Sequence, residues 1–112
     1  MGHDIFGFNR AGEEIAYARF SMGNYNSIIL YEVLHAEEYY AGVSGSGGST
    51  TFSMQHCEKA MEEFNHLLKI NGYSSKSNHR DKLPWDLRQI SEFIENCLTT
   101  SKKEGKVQVY FG

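Results

Sequence analysis

A glycine- and serine-rich stretch at residues 39–53 constrains the fold more than any other feature of this sequence. Four of the chain's 11 glycines fall between Gly42 and Gly48. Each glycine in a helix interior costs roughly 1 kcal/mol relative to alanine, so a helix does not easily run through such a stretch. The sequence therefore predicts a break here, with one helical pattern before it and another after it.

The first helical pattern begins near residue 26 and continues to Tyr40. Asn24 or Asn26 can cap its start, because the side-chain oxygen accepts a hydrogen bond from an otherwise unpaired backbone N–H. Gly42 lies where a helix commonly ends in a left-handed residue. These signals predict one continuous helix from about Asn26 to Tyr40.

Two further helices are predicted after the glycine-rich stretch. Ser53 is expected to cap the second helix, and Asn71-Gly72 to end it. Residues 73–83 are polar and are expected to form a surface loop. Pro84 fits the first turn of the third helix, and Gly105 is expected to end it.

Strands are predicted at both ends of the chain. Residues 3–8 and 15–20 alternate in side-chain character around a turn at 9–12, in which Gly12 can adopt positive φ, and this pattern indicates a hairpin. Residues 107–111 form a third apolar strand pattern. Because a lone hairpin is marginally stable in water, the terminal strand is expected to join it.

The predicted fold class is therefore α+β, with element order ββαααβ. One antiparallel three-stranded sheet, made of the N-terminal hairpin and the C-terminal strand, is expected to be covered on one face by three helices. At 112 residues, the chain is expected to form one globular domain over residues 1–112.

Composition excludes several classes of protein. A formal net charge of −3 provides no general attraction for nucleic acid. The longest wholly apolar run, at 28–31, is far shorter than the roughly 20 residues that span a bilayer. No signal peptide is visible, so Cys57 and Cys97 are expected to be buried free thiols in a cytoplasmic protein. Neither a nucleic-acid partner nor a membrane is expected.

The glycine-rich loop is the first candidate site. Small residues ahead of a helix N-terminus let backbone N–H groups approach a phosphate or another small anion. The loop nevertheless lacks the Gly-Lys-Ser/Thr ending of a P-loop, and it follows a predicted helix instead of a strand. A connector between two helices is the favoured interpretation. The candidate ligand-binding residues are Ser44, Gly45, Ser46, Gly47, Gly48, Ser49 and Thr50.

Two Glu-x-x-His pairs, Glu32 with His35 and Glu63 with His66, are weak metal candidates. Ferritin-like di-iron proteins use two such pairs on facing helices. Helical phase, at about 100° per residue, turns both pairs away from the apolar stripes and toward solvent. The sequence therefore predicts no metal site within the chain.

No catalytic residues are predicted. His56 and Cys57 are adjacent, but neighbouring helical residues diverge by about 100° and do not face each other. The sequence indicates no particular cofactor. The favoured function is a non-enzymatic binding or protein-interaction module, with a homo-oligomer as the first expected partner and another, unidentified protein as the next. The alternative is a small-molecule or phosphate/nucleotide-binding protein, which could be an enzyme, that uses loop 44–50.

Overall fold

A computed structural model of the protein describes residues 2–21, 24, 26–42, 44–70 and 84–112. The described elements form an α+β fold, which agrees with the predicted fold class. In chain order they are β1 (Gly2–Phe8), β2 (Glu14–Ser21), α1 (Asn26–Val33), a short 3₁₀ helix (Glu37–Tyr39), β3 (Gly48–Ser53), α2 (Met54–Ile70), α3 (Trp85–Glu104) and β4 (Lys106–Phe111).

The strands form one antiparallel sheet with the order β2-β1-β4-β3. The predicted hairpin is confirmed, with Gly12 at φ 81° in its turn. The prediction that the C-terminal strand joins the hairpin is also confirmed, since β4 pairs with β1 from Ile5 opposite Phe111 to Phe8 opposite Gln108. The predicted three-stranded sheet is wrong because β3 forms a fourth strand on the far side of β4.

β3 corresponds to the second half of the predicted glycine-rich loop. Its residues pair with β4 from Gly48 opposite Phe111 to Ser53 opposite Lys106. The strand includes Thr50 and Phe52, which are residue types that favour strands. The element order is therefore ββαβααβ instead of ββαααβ, not counting the 3₁₀ helix, and a strand stands between the loop and α2.

Helix α1 is shorter than predicted. It ends at Val33 instead of continuing to Tyr40, and His35 adopts a left-handed conformation with φ 53°. The Ala36 N–H donates to the carbonyl of Tyr31 at 2.8 Å. A six-residue closure of this kind around a left-handed residue is the Schellman motif, which ends a helix. A histidine occupies the position where glycine is the usual residue, so the sequence pattern did not indicate the end.

Other helix ends agree with their sequence signals. The Asn24 side-chain oxygen accepts a hydrogen bond from the Asn26 N–H at 3.0 Å, beside the first turn of α1. Ser53 accepts a hydrogen bond from the backbone N–H of His56 at 3.2 Å, as a cap of α2 should. Gly105 ends α3 with φ 86°.

The start of α3 differs slightly from the prediction. α3 begins at Trp85, directly after Pro84, so the proline precedes the first turn instead of lying within it. The predicted stop at Asn71-Gly72 and the predicted loop at 73–83 lie outside the described residues. Of the helices that the structure describes, none combines the length and the apolar character needed to cross a membrane.

The core lies between the helices and one face of the sheet. Alternate strand residues point inward, and the same cluster includes the buried faces of α1, α2 and α3. Full burial of one large apolar side chain contributes about 1.5–3 kcal/mol. The inward-facing apolar strand residues are Ile5, Ala16, Ala18, Phe20, Phe52, Val107, Val109 and Phe111.

Both cysteines belong to this core, as the sequence predicts. Cys57 of α2 and Cys97 of α3 are free and buried. Burial disfavours the charged thiolate and therefore raises the pKa of both thiols. For Cys57, a hydrogen bond with Ser101 opposes part of this effect.

We expect native cysteine labelling to be slow even at about pH 8.5, near the ordinary pKa of a free thiol. The thiolate is the reactive form, and burial both lowers its population and blocks the reagent. Labelling with a chromogenic disulfide reagent, followed over time, would measure this. The same protein in concentrated urea serves as the control and should release both thiols quickly. Fast labelling of the folded protein would contradict the assignment.

Candidate functional site

The outer face of the sheet, opposite the helices, carries a row of aromatic side chains across three neighbouring strands. Phe6 of β1 lies opposite Tyr17 of β2 and opposite Tyr110 of β4. The Phe6 ring centroid is 4.9 Å from that of Tyr17 and 6.2 Å from that of Tyr110. These three side chains are called the aromatic row, and Phe8 adds a fourth ring with its centroid 6.1 Å from that of Phe6.

The aromatic row is open to solvent. The exposed fractions are 43% for Tyr17 and 37% for Tyr110, while Phe6 and Phe8 are half-buried. No element in the described part of the chain covers this face, because the strand residues buried under the helices point to the opposite side. Contiguous exposed apolar surface on a soluble domain commonly marks a binding site.

Charged groups of both signs border the aromatic row. The Tyr17 hydroxyl donates to a carboxylate oxygen of Asp4 at 2.7 Å, and the Arg19 Nε lies 3.8 Å from the same oxygen. The hydrogen bond to Asp4 is the main cause that raises the pKa of Tyr17, so its hydroxyl is protonated at neutral pH. Lys106 is exposed at the opposite end of the face. The face is therefore aromatic at its centre and carries no cluster of one charge.

Sequence reasoning did not identify this face as a site. Strand alternation does show that Phe6 and Phe8 share one face, and that Tyr17 and Arg19 share another. The order of strands in the sheet is also needed, because only the pairing of β1 with both β2 and β4 brings Tyr110 beside Phe6.

The two Glu-x-x-His pairs approach each other across a groove between α1 and α2. The Nε2 atom of His35 lies 3.0 Å from both carboxylate oxygens of Glu63. Glu32, His35 and His66 are exposed and Glu63 is half-buried. The groove encloses about 530 Å³ and is lined by Glu32, Val33, Glu62, Glu63, His66 and Leu67.

Of the four side chains in the two pairs, His35 and Glu63 are the two in contact. Within the part of the chain that the structure describes, no group of three or more His, Cys, Asp or Glu side chains could hold a metal ion. The His35–Glu63 contact instead connects the end of α1 to the middle of α2. A three-ligand minimum is typical of zinc sites, so the two pairs remain weak candidates.

The first half of the glycine-rich loop is anchored to the end of β4. The Gly45 N–H donates to the carbonyl of Gly112 at 2.8 Å, and the Gly47 N–H donates to the carbonyl of Phe111 at 2.7 Å. The Ser46 N–H donates to the carbonyl of Tyr39 at 2.9 Å. Three backbone donors that an anion site would use are therefore already bonded within the protein.

The rest of the candidate anion site is arranged differently from the prediction. Gly48, Ser49 and Thr50 belong to β3, so the loop does not lead into the N-terminus of α2. Ser44 is half-buried, and its hydroxyl donates to the carbonyl of Gly45 at 3.0 Å. Ligand binding by residues 44–50 stays a prediction, without the helix N-terminus that motivated it.

Comparison of the chain with protein-family models, with curated proteins and with solved structures finds no match.

The close approach of Gly45 to β4 leads to a stability prediction. A Cβ atom at Gly45 would lie 2.6 Å from the backbone carbonyl carbon and oxygen of Phe111, which cannot move without disturbing the strand. We expect Gly45→Ala to lower the free energy of unfolding by about 1–3 kcal/mol, the usual range for overpacking. Urea denaturation would measure it. Ser46→Ala, at an exposed neighbour, is the control. It removes only a long hydrogen bond of 3.4 Å from the Gly48 N–H and should be close to neutral.

The left-handed conformation of His35 leads to a second stability prediction. His35→Gly and His35→Ala both remove the imidazole and its contact with Glu63, so they differ only in the Cβ atom. Because a side chain is disfavoured at φ 53°, we expect the glycine variant to be more stable than the alanine variant by about 1 kcal/mol. Equal midpoints in urea denaturation would show that this conformation carries no strain.

Proposed function

We propose that the protein is a non-enzymatic protein-interaction module whose contact surface is the outer face of the sheet. The observation that supports this most strongly is the aromatic row, in which three rings from three strands lie side by side and two of them are more than a third exposed. Tyrosine and phenylalanine rings bury a large area at small entropic cost, and for this reason they are frequent in protein interfaces.

The charge of this face favours a protein partner over nucleic acid. Asp4 and Arg19 lie close together at one end, and Lys106 lies at the other. Stacking surfaces for single-stranded nucleic acid combine aromatic rings with a positively charged groove that follows the backbone. This face has rings without such a groove, and the whole chain has a formal net charge of −3.

A second copy of the chain is the first partner that we propose. Symmetric self-association is the commonest kind of assembly among soluble oligomers. Two sheets packed face to face lie about 10 Å apart, a distance that side chains from both inner faces fill. The aromatic row of each copy would then be buried against the other. Two buried free thiols fit a cytoplasmic location for this assembly.

The alternative function, binding of a phosphate or nucleotide by residues 44–50, has less support. The amides of Gly45, Ser46 and Gly47 already donate to carbonyl groups of the protein. An anion would have to replace these bonds, and breaking them would detach the loop from the end of β4.

A charge placed in the aromatic row tests the proposed contact. Tyr110→Lys puts an ammonium group at the centre of the face, where burial against a second copy would be costly. We expect this variant to halve the particle mass measured by light scattering and by sedimentation velocity. Far-ultraviolet circular dichroism and cooperative thermal unfolding would show that the variant is folded.

Ile70→Lys is the matched control, because Ile70 is an exposed apolar residue at the end of α2, on the helix side of the sheet. It should leave the particle mass unchanged. A wild-type protein that stays monomeric at all concentrations, or equal effects of the two lysine variants, would overturn the proposed self-association through this face.

A further inference from the structure

The two edges of the sheet differ in how their outward-facing backbone groups are bonded. At the β2 edge, the Arg19 N–H donates to the side-chain oxygen of Gln89 at 3.0 Å. The side-chain nitrogen of Gln89 donates in turn to the carbonyl of Arg19 at 2.7 Å. The Gln89 amide thus takes the place of a neighbouring strand at the Arg19 position of the β2 edge.

The hydrogen-bond pattern of β4 determines which residues of β3 face outward. Asp4 and Gly112 exchange two backbone hydrogen bonds, at 2.9 and 3.2 Å. Bonding alternates along an antiparallel ladder, so Gly112 directs its N–H and C=O toward β1 and the adjacent Phe111 directs its own toward β3. Val109 and Val107 have the same orientation as Phe111, so their N–H and C=O groups also point toward β3.

On β3, Thr50 and Phe52 pair with Val109 and Val107 and direct their backbone groups into the sheet. The start of the strand is irregular, because the Phe111 carbonyl accepts from the Gly47 N–H and the Gly48 N–H donates to the Ser46 hydroxyl. Ser49 and Thr51 alternate with Thr50 and Phe52, so their N–H and C=O groups point away from β4. Neither residue has a further backbone partner within the described residues, whereas Gln89 bonds both outward backbone groups of Arg19 on β2.

The composition of β3 leaves this edge unprotected. Natural sheets block exposed edges with charged side chains, proline, bulges or a covering element. Residues 48–53 read Gly-Ser-Thr-Thr-Phe-Ser and contain neither a charge nor a proline. Because the strand is uncharged, two copies of it do not repel each other when they lie side by side.

We propose that β3 pairs antiparallel with β3 of a second copy about a two-fold axis perpendicular to the sheet. Ser49 would exchange backbone hydrogen bonds with the partner's Thr51, and Thr51 with the partner's Ser49. The four-stranded sheet would continue into the second copy as one sheet of twice the width. This contact is separate from the proposed contact through the outer face. Both together would give a tetramer with dihedral symmetry if the two axes intersect at right angles.

Thr51→Pro tests the edge contact directly. Proline removes the outward N–H and places its ring where a neighbouring strand would lie, while the inward bonds of Thr50 and Phe52 to β4 remain. We expect the variant to fold and its particle mass to be half that of the wild type. Thr51→Ala is the matched control, since it keeps the N–H group and should keep the mass.

Amide hydrogen exchange gives a second readout at the same residues. In the wild type, exchange at Ser49 and Thr51 should slow as protein concentration rises, because pairing protects both N–H groups.

If Thr51→Pro fails to fold, Thr51→Lys retains the N–H group and places like charges beside each other across the axis. That variant should also halve the particle mass.

The outcomes separate this inference from the proposed function. If Tyr110→Lys halves the mass and both Thr51→Pro and Thr51→Lys leave it unchanged, the edge inference is wrong and the contact through the outer face stands. If the variants at Thr51 halve the mass and Tyr110→Lys does not, the contact through the outer face is wrong and the edge contact stands. Exchange at Ser49 and Thr51 that is independent of concentration would also overturn the edge contact.

Discussion

The insertion of β4 between β1 and β3 is the contact on which the rest of the structure depends. A hairpin alone is marginally stable in water, and β4 extends it into a sheet wide enough to bury one face under helices. The same strand receives the glycine-rich loop, because the carbonyls of Phe111 and Gly112 accept hydrogen bonds from Gly47 and Gly45. One strand from the end of the chain thus holds together the hairpin, the loop and the β3 edge.

This arrangement also determines which surfaces are available for binding. Valine and phenylalanine residues of β4 point into the core, while Tyr110 points outward and completes the aromatic row beside Phe6. β3 lies at one edge, with the outward groups of Ser49 and Thr51 unpaired within the described chain. At the opposite edge, Gln89 bonds the outward groups of Arg19. Both proposed contacts are consequences of a single strand order, and both lie on the sheet.

The end of α1 shows how one backbone conformation can redirect a side chain. His35 adopts positive φ, stops the helix and turns its imidazole toward Glu63 on α2. An exposed pair of this kind typically contributes less than about 1 kcal/mol to stability. The Glu-x-x-His spacing therefore does correspond to a real contact, but the contact joins one member of each pair and forms no cluster of three ligands within the described residues.

Local signals were sufficient for much of the fold. Alternation around Gly12 predicted the hairpin, Ser53 the start of α2, and Gly105 the end of α3, because each depends on neighbours a few residues away. The strand at Gly48–Ser53 and the aromatic row were decided only in the tertiary structure. β3 finds its partner more than 50 residues later in the chain, at residues 106–111, and Tyr110 meets Phe6 only across that pairing. The end of α1 at His35 escaped local reasoning for another reason, since the left-handed position that usually carries glycine carries a histidine.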